Sequence, residues 1–264
     1  MIVDYHMHLR AHDSSIDHSP EAVERFVRVA HARGVDEIGF SEHVYYFRQT
    51  NGIWHEPYQA ERCVYDLDVY CDAIVEAKRA GLPVKLGLEV DWIPERAERL
   101  AEILAPYPWD YLLGSIHFLD GLALDSEPSL VREVGVERAS ARYFDELAAL
   151  ARSGLVDVLA HPDLVKFFGH LAEWDWGALV ASLGDVGLEV STAGRYKPHG
   201  RLYPELGLLE QARAAGVPIT LASDAHAPDD VGRDFGLALE HARAAGYETV
   251  AVFESRRRRT EPLG

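Results

Sequence analysis

Seven β-rich runs, each followed by a polar loop and a longer helical pattern, predict an α/β fold built as a closed or nearly closed parallel barrel. Two further observations point the same way. Several helical patterns end in a glycine suited to a left-handed cap. No glycine-rich dinucleotide loop follows the first run, which disfavours the alternative of an open doubly wound sheet. The 264 residues, 48% of them hydrophobic, suffice for one substantial core, and no linker or short repeat divides them.

In chain order, the strands are expected at 2–6, 35–41, 84–90, 111–116, 156–160, 186–191 and 219–223. The first helical pattern, near 20–33, opens on Ser19-Pro20-Glu21, where Pro20 needs no amide donor, and closes at Gly34. The second, near 59–80, closes at Gly81. Patterns near 95–104, 130–152 and 174–183 follow the third, fourth and fifth strands. The last two, near 204–215 and 231–245, close at Gly216 and Gly246. A weak strand at 249–253 completes or flanks the barrel. The run Arg256-Arg257-Arg258-Arg259 after it reads as a solvated, fraying tail.

Acidic residues number 43 against 26 basic ones, a formal charge of −17. That balance disfavours nucleic-acid backbones and anionic membranes as partners. It leaves room for a small anionic substrate, because bound metal ions reverse the local field. Cys63 and Cys71, eight residues apart, would share one side of a helix and pack rather than form a disulfide. The opening Met1-Ile2-Val3-Asp4-Tyr5-His6 lacks signal-peptide character and no apolar run could span a bilayer, so a soluble cytoplasmic protein is expected.

The chemistry lies at the strand ends. His6 and His8 close the first strand, His43 follows the second and Glu89 ends the third. His117 and His161 end the fourth and fifth, and Asp224 and His226 close the seventh. In a parallel barrel these ends converge on one face. The alternation His6-Met7-His8 puts both rings on one side of the strand. Imidazole with carboxylate suits zinc, iron or manganese, and no thiolate set for a softer site is present. Six histidines and two carboxylates exceed the needs of one tetrahedral ion. Two or three divalent ions are therefore expected, with Glu89 able to bridge a pair. An isolated His-x-His would mean little; the joint pattern carries the inference. His12, Asp13 and His18 in the loop after the first strand are candidates to complete a third shell, and His170 and His199 to touch substrate. His31 and His241 read as ordinary helix residues, and His55 as part of a polar loop or a lid.

With these residues in view, the sequence resembles the polymerase-and-histidinol-phosphatase (PHP) superfamily, and within it the histidinol-phosphate phosphatase branch. The resemblance rests on Asp4-Tyr5-His6-Met7-His8, Ser41-Glu42-His43, Gly87-Leu88-Glu89 and Gly114-Ser115-Ile116-His117-Phe118. It continues through Ala160-His161-Pro162-Asp163-Leu164, Lys166-Phe167-Phe168-Gly169-His170, Thr192-Ala193-Gly194 and Ser223-Asp224-Ala225-His226. It implies a distorted seven-stranded TIM-like (β/α)7 barrel with three metal ions. By that analogy His6, His8, Glu89 and Asp224 hold one ion, and Glu89, His117 and His161 a second. His43 and His226 hold the third with one ligand from the loop after the first strand. The chain departs from the pattern there, with Leu9 in place of threonine and Ser14 where a histidine is usual, so Asp13, His12 or His18 would substitute.

The implied reaction is hydrolysis of a phosphate monoester, with L-histidinol phosphate as the leading substrate. Metal-activated water attacks phosphorus in line, with Glu89, Asp224 and His226 in the catalytic centre. Lys166, Arg195 and Lys197 lie in the mouth loops of a chain with few lysines and are candidates for phosphate contacts, with His170 nearby. A charge pair of Lys166 with Asp163 or Glu205 is the structural alternative. Asp91, Asp120 and Asp163 would make an acidic rim for a partly cationic substrate, and Tyr45, Tyr46, Phe47 and Trp54 a wall, or simply packing for the insertion. Rival readings are a PHP phosphoesterase for a nucleotide or sugar phosphate, a carbon–nitrogen hydrolase, disfavoured because no lysine ends a strand, and a non-catalytic metal-binding module.

Overall fold

The computed structural model describes residues 1–9, 15–126, 129–169 and 174–264. Strands β1 (Val3–Asp4), β2 (Glu37–Phe40) and β3 (Val84–Leu86) form a parallel sheet in that order. Strands β4 (Glu89–Asp91) and β5 (Leu113–Ser115) begin a second sheet, and a small antiparallel hairpin, β6 (Phe118–Leu119) with β7 (Leu122–Ala123), stands beyond them. With β8 (Val158–Leu159), β9 (Gly187–Ser191) and β10 (Ile219–Ala222) the second sheet is parallel, in the order β10-β9-β8-β5-β4. Backbone bonds link the two sheets: Tyr5 N to Leu221 O at 3.0 Å and His8 N to Ala225 O at 2.8 Å on one side, Glu89 N to Glu42 O at 2.9 Å on the other. The third predicted strand is split at Gly87-Leu88, so its first half pairs with β2 and its second with β5.

The helices are α1 (Pro20–Ala32), α2 (Pro57–Ala60), α3 (Leu67–Arg79), α4 (Ala97–Leu104), α5 (Ser129–Val134), α6 (Val136–Arg152), α7 (Gly177–Ser182), α8 (Leu206–Ala214) and α9 (Phe235–Ala244). Ser19 caps α1, its Oγ accepting from Ala22 N at 3.2 Å. Gly34, Gly81, Gly216 and Gly246 all have positive φ, as their cap positions require. The longer helices turn an apolar stripe inward. In α6 that stripe is Ala139, Tyr143, Phe144, Leu147, Leu150 and Ala151.

Three expectations are corrected. The helix expected at 59–80 is two helices, because residues 64 and 65 donate to Tyr46 O and Asp66 caps a new start at α3. Cys63 therefore lies off the helix that carries Cys71, though both thiols are free. The helix expected at 130–152 breaks at Gly135, whose φ of 81° no helix interior accepts. The arginine run does not fray. Arg257–Pro262 forms β12, paired along its length with β11 (Thr249–Glu254), and Arg256 binds Asp157 at 2.9 Å.

The core beneath the strand ends is organised by Tyr111. Its ring stacks on Tyr5 with centroids 4.9 Å apart, and its hydroxyl donates to Tyr5 O at 2.7 Å. Gly39 and Gly87 let it in, since a Cβ on either would overlap the Tyr111 side chain. Gly87→Ala is accordingly expected to destabilise the fold by about 1–3 kcal/mol through overpacking. Thermal unfolding checks this, and an unchanged midpoint would contradict it.

Candidate metal centre

The alternation of β1 continues past Asp4, so Met7 enters the core while His6 and His8 point to the opposite face, all three buried. Asp4, also buried, accepts from Ser223 N at 2.8 Å, Ser223 Oγ at 2.5 Å and Gly232 N at 2.9 Å. That bond set fixes the first strand against the last and brings His6 and His8 beside Asp224. Asp224 (φ 50°) and His161 (φ 27°) both hold left-handed backbone, a strain of about 1–3 kcal/mol each that persists only where packing over-determines it.

Glu89 is the hub. Its Oε2 lies 2.7 Å from His43 Nδ1, 3.3 Å from His6 Nε2 and 3.7 Å from His8 Nε2. Its Oε1 lies 3.1 Å from His161 Nε2 and 3.4 Å from His117 Nε2. Asp224 Oδ1 stands 3.5 Å from His8 Nε2, 3.6 Å from His6 Nε2 and 3.5 Å from His226 Nδ1. Four overlapping groups result, each with its potential ligand atoms within 4.8 Å of one another: His6, His8 and Asp224; His6, Glu89 and His161; His8, His43 and His226; and His43, Asp91 and His117.

The test of fit is what these atoms do with their hydrogen-bonding capacity. His6 Nε2, His8 Nε2, His43 Nδ1 and Glu89 Oε2 are buried and make no hydrogen bond among the described residues. Each such atom costs about 1–3 kcal/mol if left unsatisfied. Four of them facing one another form a donor set for divalent cations, and the nitrogen and oxygen chemistry suits zinc, iron or manganese. Burial would raise the Glu89 carboxyl, but His43, His6 and His117 hold it well below its ordinary range. Burial pushes His43 down to about 3, leaving its ring neutral and able to ligate.

Behind the inner residues stand carboxylates in a role that the sequence did not suggest for them. Glu189 Oε2 binds His6 Nδ1 at 2.7 Å, while Glu189 Oε1 accepts from His161 N at 3.2 Å. Asp91 Oδ1 binds His117 Nδ1 at 2.8 Å, and Glu42 Oε2 lies 3.5 Å from His8 Nδ1. Each leaves the opposite ring nitrogen directed at the cluster. The signal was legible in part, since Glu189 is a lone charge inside a fully buried strand. Glu189→Gln is expected to weaken metal retention by roughly 10–100-fold, because the amide no longer orients His6 as a carboxylate does. Titration with a metal-buffering chelator measures it, and wild-type affinity would rule the role out.

Other expected residues fall elsewhere. His12, Asp13 and His170 lie outside the described residues. His18 is packed against Phe47 and Tyr70 behind Glu42, its Nε2 3.6 Å from Glu42 Oε1, and joins none of the four groups. Lys166 is corrected: it is fully buried, its ammonium bound to Leu202 O at 2.7 Å, Asp163 Oδ2 at 2.8 Å and Glu205 Oε1 at 2.9 Å. Those three acceptors use all its donors. Asp163, so engaged, is no rim residue. Nor is Asp91, buried on His117, while exposed Asp120 pairs with Arg142. Arg195 is half exposed and bonded to Asp234 at 3.0 Å. Lys197 stands 5.7 Å above the Phe167 ring; burial would raise the Asp224 carboxyl, but His6, His226 and His8, with a smaller pull from Lys197, hold it well below its ordinary range. Tyr45, Tyr46, Phe47 and Trp54 are buried in the insertion, and Tyr45 stacks on His43 at 4.8 Å. A cavity of about 240 Å³ opens there, lined by His43, His117, His226, Tyr45, Tyr58, Phe118 and Asp125 among others.

The PHP domain family matches residues 4–193. A protein of Deinococcus radiodurans described as "Probable histidinol-phosphatase" is 32% identical over 262 residues, covering 95% of this chain and 96% of that one. The histidinol-phosphatase of Bacillus subtilis is 27% identical over 189 residues, 61% of this chain and 70% of its own. A crystal structure of histidinol phosphate phosphatase from Lactococcus lactis, in complex with zinc, L-histidinol and phosphate, superposes with a TM-score of 0.73 at 20% identity, over 98% of each chain. No helix among the described residues is long and apolar enough to cross a membrane.

Proposed function

This chain belongs to the PHP domain family, and from that premise we propose that it is a metal-dependent phosphatase that hydrolyses L-histidinol phosphate to L-histidinol and inorganic phosphate. One observation carries the reading: His6 Nε2, His8 Nε2, His43 Nδ1 and Glu89 Oε2 meet, buried and without hydrogen-bond partners among the described residues, at the mouth of the parallel strands. We read the two sheets as one distorted seven-stranded barrel, since the Tyr5–Leu221 and Glu89–Glu42 backbone bonds join their edges.

The inner residues divide into three shells. His6, His8, Glu89 and Asp224 would hold one ion, and Glu89, His117 and His161 a second. His43 and His226 would hold a third, with Asp13 or His12 from the loop after β1. When bound, such ions supply acidification of water near neutral pH and positive charge opposite the phosphoryl group. The chain's own task is to fix these ligands. Glu189, Asp91 and Glu42 set the ring orientations, and buried Glu89 presents both oxygens inward. Lys197 offers a cation to an approaching phosphate. The cavity beside His117 suits the rest of the substrate, with Tyr45 and Phe118 for a planar ring and Asp125 for an amine.

The test is release of inorganic phosphate from small monoesters after chelation and reloading with zinc, iron or manganese. Histidinol phosphate is expected to exceed nucleotide and sugar phosphates by at least about tenfold in kcat/KM, the scale of one lost charge or ring contact. No turnover of any monoester in any metal form would overturn the assignment.

A further inference from the structure

Five tyrosines are essentially fully buried: Tyr5, Tyr70, Tyr111, Tyr143 and Tyr203. The hydroxyls of the first four donate to Glu37, Gly87 O, Tyr5 O and His161 O. Tyr203 is 1% exposed, yet its hydroxyl has no hydrogen-bond partner among the described residues. A buried phenol ordinarily finds one, because an unmade hydrogen bond in the interior carries its full desolvation cost.

The position of that phenol indicates its missing acceptor. Its backbone is locked to the end of β9 by Ser191 N to Tyr203 O at 2.8 Å and Tyr203 N to Ser191 O at 3.0 Å. Its ring meets His161 edge-on, with centroids 6.1 Å apart, and Lys166 Nζ stands 5.2 Å from its centre. A phenol carries its proton near neutral pH, so this hydroxyl is available as a donor. Beside it, 4.9 Å between centroids, is His199. Arg201 N donates to His199 Nδ1 at 3.1 Å, which places the ring proton on Nε2, and that nitrogen also lacks a partner. Burial, Lys166 and Arg201 hold His199 down to about 4, so it is neutral. Two uncharged donors thus stand side by side next to a cluster residue, with no acceptor for either among the described residues.

We propose that Tyr203 donates its phenolic hydrogen bond to a phosphoryl oxygen of the substrate, with the Nε2–H of His199 as a second donor beside it. This rests on the phosphatase reading above and adds a substrate contact to it. Neutral donors suit the task. They bind the doubly charged ester and the five-coordinate transition state without adding another buried charge to the rim.

The experiment uses the metal-loaded protein and inorganic phosphate as the probe. Tyr203→Phe keeps the ring against His161 and removes one oxygen. Calorimetric phosphate affinity is expected to fall by about 10- to 100-fold, the range for a hydrogen bond to a charged group, with kcat/KM falling alongside and metal content unchanged. Tyr247→Phe removes a hydroxyl bound to Val217 O, and should leave phosphate affinity at the wild-type value. Wild-type phosphate affinity in Tyr203→Phe would overturn the inference, as would loss of bound metal from that variant or a wild-type protein that binds no phosphate. Wild-type protein that binds phosphate but hydrolyses no monoester would instead overturn the phosphatase reading, while the affinity comparison would still decide the role of Tyr203.

Discussion

Replacing Glu89 with glutamine is expected to strip most of the bound metal and to lower kcat/KM by at least about a thousandfold, the upper end of what one preorganised group contributes. The geometry makes this position a sensitive one. Both Glu89 oxygens face imidazole nitrogens, His43 and His6 on one, His161 and His117 on the other. Glutamine keeps the volume but puts an N–H2 where one oxygen stood. A neutral amide cannot bridge two cations, and its hydrogens would point at nitrogens that need lone pairs free for metal. Metal per chain by mass spectrometry and kcat/KM on the best monoester measure the two effects, with circular dichroism reporting the fold. A glutamine variant with full metal content and more than about a tenth of wild-type turnover would sink the idea that Glu89 joins the ions, since lost bridging ligands cost far more.

The same residue shows why much of this site was legible in the sequence. Parallel strands deliver their C-terminal ends to one face, so a histidine or carboxylate that closes a β-rich run has its destination set by topology. His6, His8, His43, His117, His161, Asp224 and His226 follow that rule and come together, and Glu89 joins them although it opens β4 rather than closing a strand. What the rule does not reach is anything whose place depends on side-chain partners. Glu42 and Glu189 act through rings on other strands, the His8–Glu42 and His6–Glu189 pairings lying 34 and 183 residues apart in the chain, and no periodicity encodes them. The insertion after His43 misled for a related reason. Its helical pattern from residue 59 onward is real, but bonds from residues 64 and 65 to Tyr46 O override local propensity. The arginine run was read by composition as a tail, whereas β11 supplies a backbone edge that any sequence can pair with.

Lys166 gives the second large effect, and one that separates a structural lysine from a substrate-binding one. Lys166→Met is expected to destabilise the protein by about 3–5 kcal/mol, because it leaves a buried carboxylate without its cation. Asp163 and Lys166 are both fully buried, and their ion pair spans 2.8 Å. Glu205 is less affected, since it is part-exposed and also pairs with Arg201 at 3.0 Å. The cost therefore concentrates on Asp163, whose carboxyl burial already pushes upward against the opposing pull of Lys166. For a chain of this size the unfolding midpoint should drop on the order of 10 °C. Adding Asp163→Asn to the methionine variant removes the stranded charge and should recover most of that loss, the non-additivity that marks a direct pair. A phosphate-binding lysine would behave in the opposite way, with KM rising while the midpoint stays put. A midpoint within about 2 °C of wild type in the single variant, under 1 kcal/mol for a domain this large, would return Lys166 to the substrate.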